Sequence, residues 1–137
     1  MAQNRTSAIM PQAMPPVPKS PSRLASLRHA LRGLARLLAT QPNARIHVLL
    51  ACVATALGVW LGLSPTEWAV LALTVGLVLA AEALNTALEL AVDLASPQWH
   101  ALARDAKDVA AAGVLLASLA ALAVGGFLFI PKLLTGN

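Results

Sequence analysis

Glu82, Asn85, Glu89 and Asp93 are the only strongly polar residues in the apolar run 68–94, and they recur at intervals of three, four and four. At 100° per residue they fall within an arc of roughly 80°, which makes them one stripe of a single helix. Three carboxylates carried through or beside lipid cost several kcal/mol unless cations or polar partners meet them. Such a stripe can bind a hard divalent cation, relay ions or protons, or take a proton from a reacting hydroxyl.

The elements that carry the stripe are membrane helices. The chain of 137 residues is 58% hydrophobic and 12% charged, with no Tyr and two Phe, and its mean hydropathy is +0.70. That is too apolar for an ordinary soluble domain. Residues 48–66 and 109–131 carry no charge, and each run is long enough to cross a hydrocarbon core of ~30 Å as a helix. A third run, 69–81, is interrupted by Glu82, so the second half of its helix must be shielded by protein or lie near the interface.

The net charge of +4 would suggest nucleic acid in a soluble protein, but here the basic residues follow topology. Arg5, Lys19, Arg23, Arg28, Arg32, Arg36 and Arg45 precede the first span, the turn at 63–67 has none, Arg104 and Lys107 lie between the second and third spans, and Lys132 follows. The positive-inside rule then puts the N-terminus and the loop after Asp93 in the cytoplasm, and the Ser64–Pro65 turn and the C-terminus outside. Trp60 and Trp68 bracket the outer turn and Trp99 marks the inner face, where indoles favour the interface. Residues 1–22 are rich in Pro, Ser and Gln without an apolar core, which predicts a disordered tail rather than a cleaved signal. The lone Cys52 falls inside the first span, where it reads as packing.

Residues 23–137 read as one all-α membrane domain. Leu24, Leu27, Leu31, Leu34 and Leu38 recur at helical spacing, with Arg28, Arg32 and Arg36 on a separate stripe, which predicts a basic amphipathic helix over 23–40 lying on the cytoplasmic leaflet and ending before Pro42. The three spans are expected at 46–63, 66–94 and 97–130. Gly58 and Gly62 have a spacing that lets helices approach closely. Ser96 and Pro97 read as an N-cap and first residue of the last helix. That helix, ~50 Å long, would project into the cytoplasm and carry His100, Arg104 and Lys107 on one face, with Asp108 at its edge.

Carboxylates facing a basic cluster at a membrane surface are what phosphoryl transfer from a nucleotide to a lipid alcohol requires. Carboxylates hold Mg²⁺, cations neutralise phosphates, and a further carboxylate orients or deprotonates the attacking hydroxyl. No G-x-x-x-x-G-K-[ST] loop is present, so the nucleotide would be held by helix side chains. From the residues alone, an ion-coupled transporter or channel subunit with Glu82 and Glu89 as relay remains open, as does an oligomer whose helices merely satisfy each other's polar groups.

The string Glu82-Ala-Leu-Asn85-Thr-Ala-Leu-Glu89-Leu-Ala-Val-Asp93, followed by Trp99-His100 and Ala106-Lys107-Asp108, resembles the E-x-x-N-[ST]-A-x-E-x-x-x-D … H … A-K-D signature of the small bacterial integral-membrane diacylglycerol kinase and undecaprenol kinase family. Arg32-Gly33-Leu34 and Asn43-Ala44-Arg45-Ile46-His47 extend the resemblance to about residues 23–133. It implies a surface helix and three transmembrane helices in a homotrimeric bundle of the bacterial inner membrane, with active sites between subunits at the cytoplasmic interface. It further implies an ATP- and Mg²⁺-dependent kinase that converts diacylglycerol to phosphatidate, or alternatively phosphorylates undecaprenol. Glu82 matches the catalytic base, Asn85 its polar support and Glu89 a metal ligand. Lys107 and Asp108 match residues around the nucleotide phosphates, Trp99 and His100 the adenine region, and Arg32 a basic position near the phosphates.

Gln41 stands where the family usually carries a second metal-binding glutamate, and Ala44 replaces a usual aromatic residue. An amide oxygen still ligates Mg²⁺ but brings no charge, so weaker metal binding is expected. The wording of Arg45-Ile46-His47 and of Ser96-Pro97 through Lys107-Asp108 looks closer to the undecaprenol kinase branch.

Overall fold

The computed structural model describes residues 22–135, which form four helices and no strand: α1 (Arg23–Thr40), α2 (Pro42–Trp60), α3 (Pro65–Ala95) and α4 (Ala101–Thr135). The expected N-terminal tail lies outside the described residues, apart from Ser22, which caps α1 by accepting the Ala25 N–H at 3.3 Å. α2, α3 and α4 are each long and apolar enough to cross a membrane.

Leu24, Leu27, Leu31 and Leu34 of α1 are exposed, and only Leu37 near its C-terminus is buried. The leucine stripe therefore does not pack on the rest of the chain, and this is the surface an interfacial helix offers to lipid. α1 and α2 meet at a one-residue elbow. Gln41 closes α1 through its backbone N–H to the Leu37 carbonyl and opens α2, with Pro42 in the first turn, where a missing N–H leaves nothing unsatisfied. The helix expected from residue 46 thus begins at Pro42. Arg45 clasps the elbow: its Nε donates to the Leu38 carbonyl at 2.7 Å and its Nη2 to that of Ala39. A cation on the last carbonyls of a helix satisfies orphan acceptors and complements the dipole.

The glycine spacing of the first span does a different job from the one expected. Gly62 lies beyond α2 with φ 63°, a left-handed conformation that ends the helix at Trp60 rather than 63. Gly58 is filled from within the chain: a Cβ there would meet Leu63 Cδ1 and the Trp68 ring at 2.9 Å. Trp68 is accordingly half-buried against α2, while Trp60 and Trp99 are exposed. Ser64 and Glu67 close a reciprocal capping box on α3, the Ser64 N–H donating to Glu67 Oε2 at 2.7 Å.

The last helix begins at Ala101, not at Pro97. Ser96 instead ends α3, its N–H donating to the Val92 carbonyl, and its hydroxyl bonds the Gln98 carbonyl at 3.0 Å, which holds residues 96–98 in a bend. The cap is supplied four residues later by His100, whose Nδ1 accepts the Leu102 N–H at 3.2 Å. The helix then continues past the expected end at 130, with Pro131 in its last turns.

α3 and α4 make the most extensive contact in the molecule, and an ion pair pins each end. Lys132 Nζ lies 3.3 Å from Glu67 Oε2, and Lys107 Nζ contacts Asp93 Oδ1. The pairs are separated by 26 residues on α3 and 25 on α4, about 39 Å of helix, close to the ~40–45 Å of a bilayer with its headgroups. The acidic stripe therefore starts at one pinned end and runs inward.

Candidate active site

Glu82 is the most deeply buried large side chain of the described residues, 2% exposed. Its Oε2 has no hydrogen-bond partner, and neither do Asn85 Oδ1 and Thr86 Oγ1. Three unpaired polar atoms within two turns of one helix break the rule that buried polar groups are satisfied. Each such group costs about 1–3 kcal/mol to leave unpaired, which marks the cluster as the candidate site. Asn85 Nδ2 donates to Glu89 Oε1 at 3.0 Å, which orients that carboxylate and leaves its other oxygen free. Glu82 and Glu89 are seven residues apart, about 10 Å along α3.

The expected site residues fall into separate groups. Asp93 at the end of the stripe holds Lys107, so of the expected basic face Lys107 reaches the stripe, whereas Arg104 pairs along α4 and His100 lies ahead of it. Asp108 pairs instead with Arg104 along α4, Oδ2 to Nε 3.5 Å, with both side chains exposed. Trp99 and His100 sit in the connection between α3 and α4, exposed, with the His100 Nδ1 engaged as the helix cap. Arg32 is exposed on α1 and Gln41 half-buried at the elbow; among the described residues no hydrogen bond or ion pair joins either to the α3 carboxylates.

A cavity of about 400 Å³ opens between α1 and α3, lined by Gly33, Leu34, Arg36, Leu37, Ala83 and Thr86 among others. Its α1 side offers Arg36, where sequence reasoning favoured Arg32. It also brings in Thr86, which in the sequence is only the Ser/Thr position of the family signature, without a role. The available signal was position: Thr86 follows Glu82 by four residues and so lies on the same stripe.

Among the described residues no three His, Cys, Asp or Glu side chains gather as a metal cage. That is compatible with Mg²⁺, which uses one or two carboxylates together with substrate phosphates and water. Glu89, with one oxygen held by Asn85 and the other free, is a donor of that kind.

Residues 28–129 match the family described as Prokaryotic diacylglycerol kinase. The chain belongs to this family. A diacylglycerol kinase of Synechocystis sp. is 47% identical over 117 residues, which cover 85% of the chain and 67% of the relative. An undecaprenol kinase of Bacillus subtilis is 37% identical over 108 residues, covering 79% and 88%. A diacylglycerol kinase of Haemophilus influenzae is 33% identical over 105 residues, covering 76% and 89%. Membership decides between the readings the stripe alone left open. The prokaryotic diacylglycerol kinase fold seen here carries a lipid kinase, a phosphotransferase with an alcohol acceptor, and the ion-relay reading falls away.

Proposed function

We propose that the kinase moves the γ-phosphoryl group of ATP, as its Mg²⁺ complex, to the primary hydroxyl of diacylglycerol, giving phosphatidate. The observation that carries this reading is the buried Glu82, its Oε2 without a partner, on the stripe that ends at Asp93 against Lys107. In the reaction the lipid oxygen forms a bond to phosphorus, the bond to the leaving ADP oxygen breaks, and the hydroxyl proton passes to the Glu82 carboxylate. Asn85 fixes Glu89 for the metal, and Lys107 faces the phosphates, with Asp108 in the next position of α4 and Trp99 and His100 in the connection that leads into it. Bound at Glu89, Mg²⁺ would supply charge neutralisation to the transferring phosphoryl group.

Undecaprenol is a second acceptor, favoured by the cavity lining. Apart from Arg36 and Thr86 the wall between α1 and α3 is Ala, Gly and Leu. A polyprenol presents one hydroxyl to such a wall, whereas the ester carbonyls of diacylglycerol require donors. Purified protein in mixed micelles with radiolabelled ATP is expected to label the lipid fraction. Faster labelling of diacylglycerol supports the first acceptor, faster labelling of undecaprenol the second, and label in neither defeats both.

The proposal extends to assembly and orientation. Only 11% of the α2 span is buried within the chain, which leaves apolar helix faces for lipid and for two further copies in a homotrimer. The seven basic residues before the first span, against none in the turn after it, support an N-terminus in the cytoplasm and insertion in the bacterial plasma membrane. With Cys52 replaced by Ala, single cysteines at positions 65 and 98 report the orientation. An impermeant thiol reagent added outside is expected to label position 65 and spare position 98; the reverse result overturns the orientation.

Gln41 as a metal ligand supplies its own expected outcome. Gln41→Glu adds a charge beside Mg²⁺-ATP and lowers the apparent Mg²⁺ requirement. An unchanged Mg²⁺ titration removes Gln41 from the site and leaves it an elbow residue alone.

A further inference from the structure

Thr40, Thr55, Thr74 and Thr135 each donate their hydroxyl to the carbonyl four residues back, at 2.8–2.9 Å. That is the ordinary resting place of a helical threonine. Thr86 has the Glu82 carbonyl in the same relation, yet its hydroxyl makes no hydrogen bond, although the residue is only 8% exposed. It lines the cavity between α1 and α3, and one turn away the Glu82 Oε2 is also without a partner.

We propose that Thr86 is the residue that binds the acceptor hydroxyl of the lipid and turns it toward Glu82. The inference rests on the lipid kinase reading with Glu82 as base, and names a contact that reading leaves unassigned. An alcohol oxygen has one proton and two lone pairs. The Thr86 O–H donates to one lone pair, the lipid O–H donates to Glu82 Oε2, and the second lone pair is left to attack phosphorus. The proton goes to Glu82, the new bond is oxygen to phosphorus, and Thr86 is unchanged at the end. The cavity supplies the remainder of the fit, since its Ala, Gly and Leu wall accepts hydrocarbon next to that single hydroxyl.

Thr86→Val keeps the shape and removes the hydroxyl, and Thr86→Ser keeps the hydroxyl and removes the methyl. Both are made in the full-length chain and assayed in mixed micelles against diacylglycerol and undecaprenol. Loss of one neutral hydrogen bond predicts that Thr86→Val lowers kcat/KM for the better lipid by about tenfold. KM for ATP should stay within about twofold of wild type, which also reports an intact nucleotide site. Thr86→Ser is expected to retain activity within about threefold. The methyl ether of the better acceptor supplies a measurement independent of turnover: its oxygen still accepts from Thr86 but has no proton for Glu82, so as an inhibitor competitive with lipid it should bind Thr86→Val about tenfold more weakly than wild type, and an unchanged inhibition constant overturns the proposal. Wild-type kcat/KM in Thr86→Val, or a fall in Thr86→Ser as large as that in Thr86→Val, overturns the proposal. A wild-type enzyme that phosphorylates lipid while Glu82→Gln remains fully active sinks the base assignment instead, and the Thr86 comparison reads out separately from it.

Discussion

Replacing Glu82 by Gln is expected to lower kcat for lipid phosphorylation by about 10²–10⁴-fold, the usual worth of a positioned general base. Gln preserves the shape and can still hydrogen-bond the acceptor, but it cannot take its proton. The same substitution is expected to raise the thermal stability of the protein in detergent. Glu82 is 2% exposed with an unpartnered oxygen, and a charged side chain within a membrane helix is costly to hold there. Removing that charge relieves the fold while removing the chemistry. A purely structural Glu82 makes the opposite forecast, with stability falling and activity falling only in proportion to the folded fraction. Steady-state kinetics and a melting curve on one preparation separate the two. A variant that retains near wild-type kcat ends the assignment.

Glu82 could be found from sequence because charge inside an apolar run is conspicuous without knowing what packs against it. The helices were legible for the same reason: leucine and arginine periodicity over 23–40 and the uncharged runs report local geometry and solvent preference. What stayed hidden depended on contacts. Ser96-Pro97 carries the local chemistry of a helix start, yet the bend through Gln98 diverts it and His100 caps α4 instead. Gly58 and Gly62 look like one packing motif, but one receives the Trp68 ring and the other turns the chain. Thr86 carries no role in the sequence beyond the Ser/Thr position of the family signature; the missing bond to the Glu82 carbonyl sets it apart. The clasp of Arg45 on α1 likewise exists only once the elbow at Gln41 brings the two helices together.

Lys107 is the second residue whose loss should be severe. The family resemblance assigns it to the nucleotide phosphates, whereas the structure shows it on Asp93. The two are compatible, because an ammonium has three donors and one carboxylate contact leaves two for phosphate oxygens. Asp93 then serves as an anchor that keeps a flexible four-carbon chain aimed along the stripe. Lys107→Met keeps most of the stem and drops the charge, so kcat/KM for ATP should fall by about 10²–10³-fold, the scale of losing one preorganised donor to a developing negative charge. Asp93→Asn should cost less, about tenfold, since it loosens the lysine without removing it. The pair is partly exposed, 35% at Lys107 and 63% at Asp93, and is worth about 0–1 kcal/mol to the fold, so neither variant should melt much earlier than wild type. The double variant decides between anchor and independent contact. If Asp93 acts through Lys107, the Asn substitution has nothing left to loosen in the Met background, and the double variant is no worse than Lys107→Met alone. Additive losses in an ATP titration at fixed lipid would instead give Asp93 a contact of its own with the nucleotide or its metal.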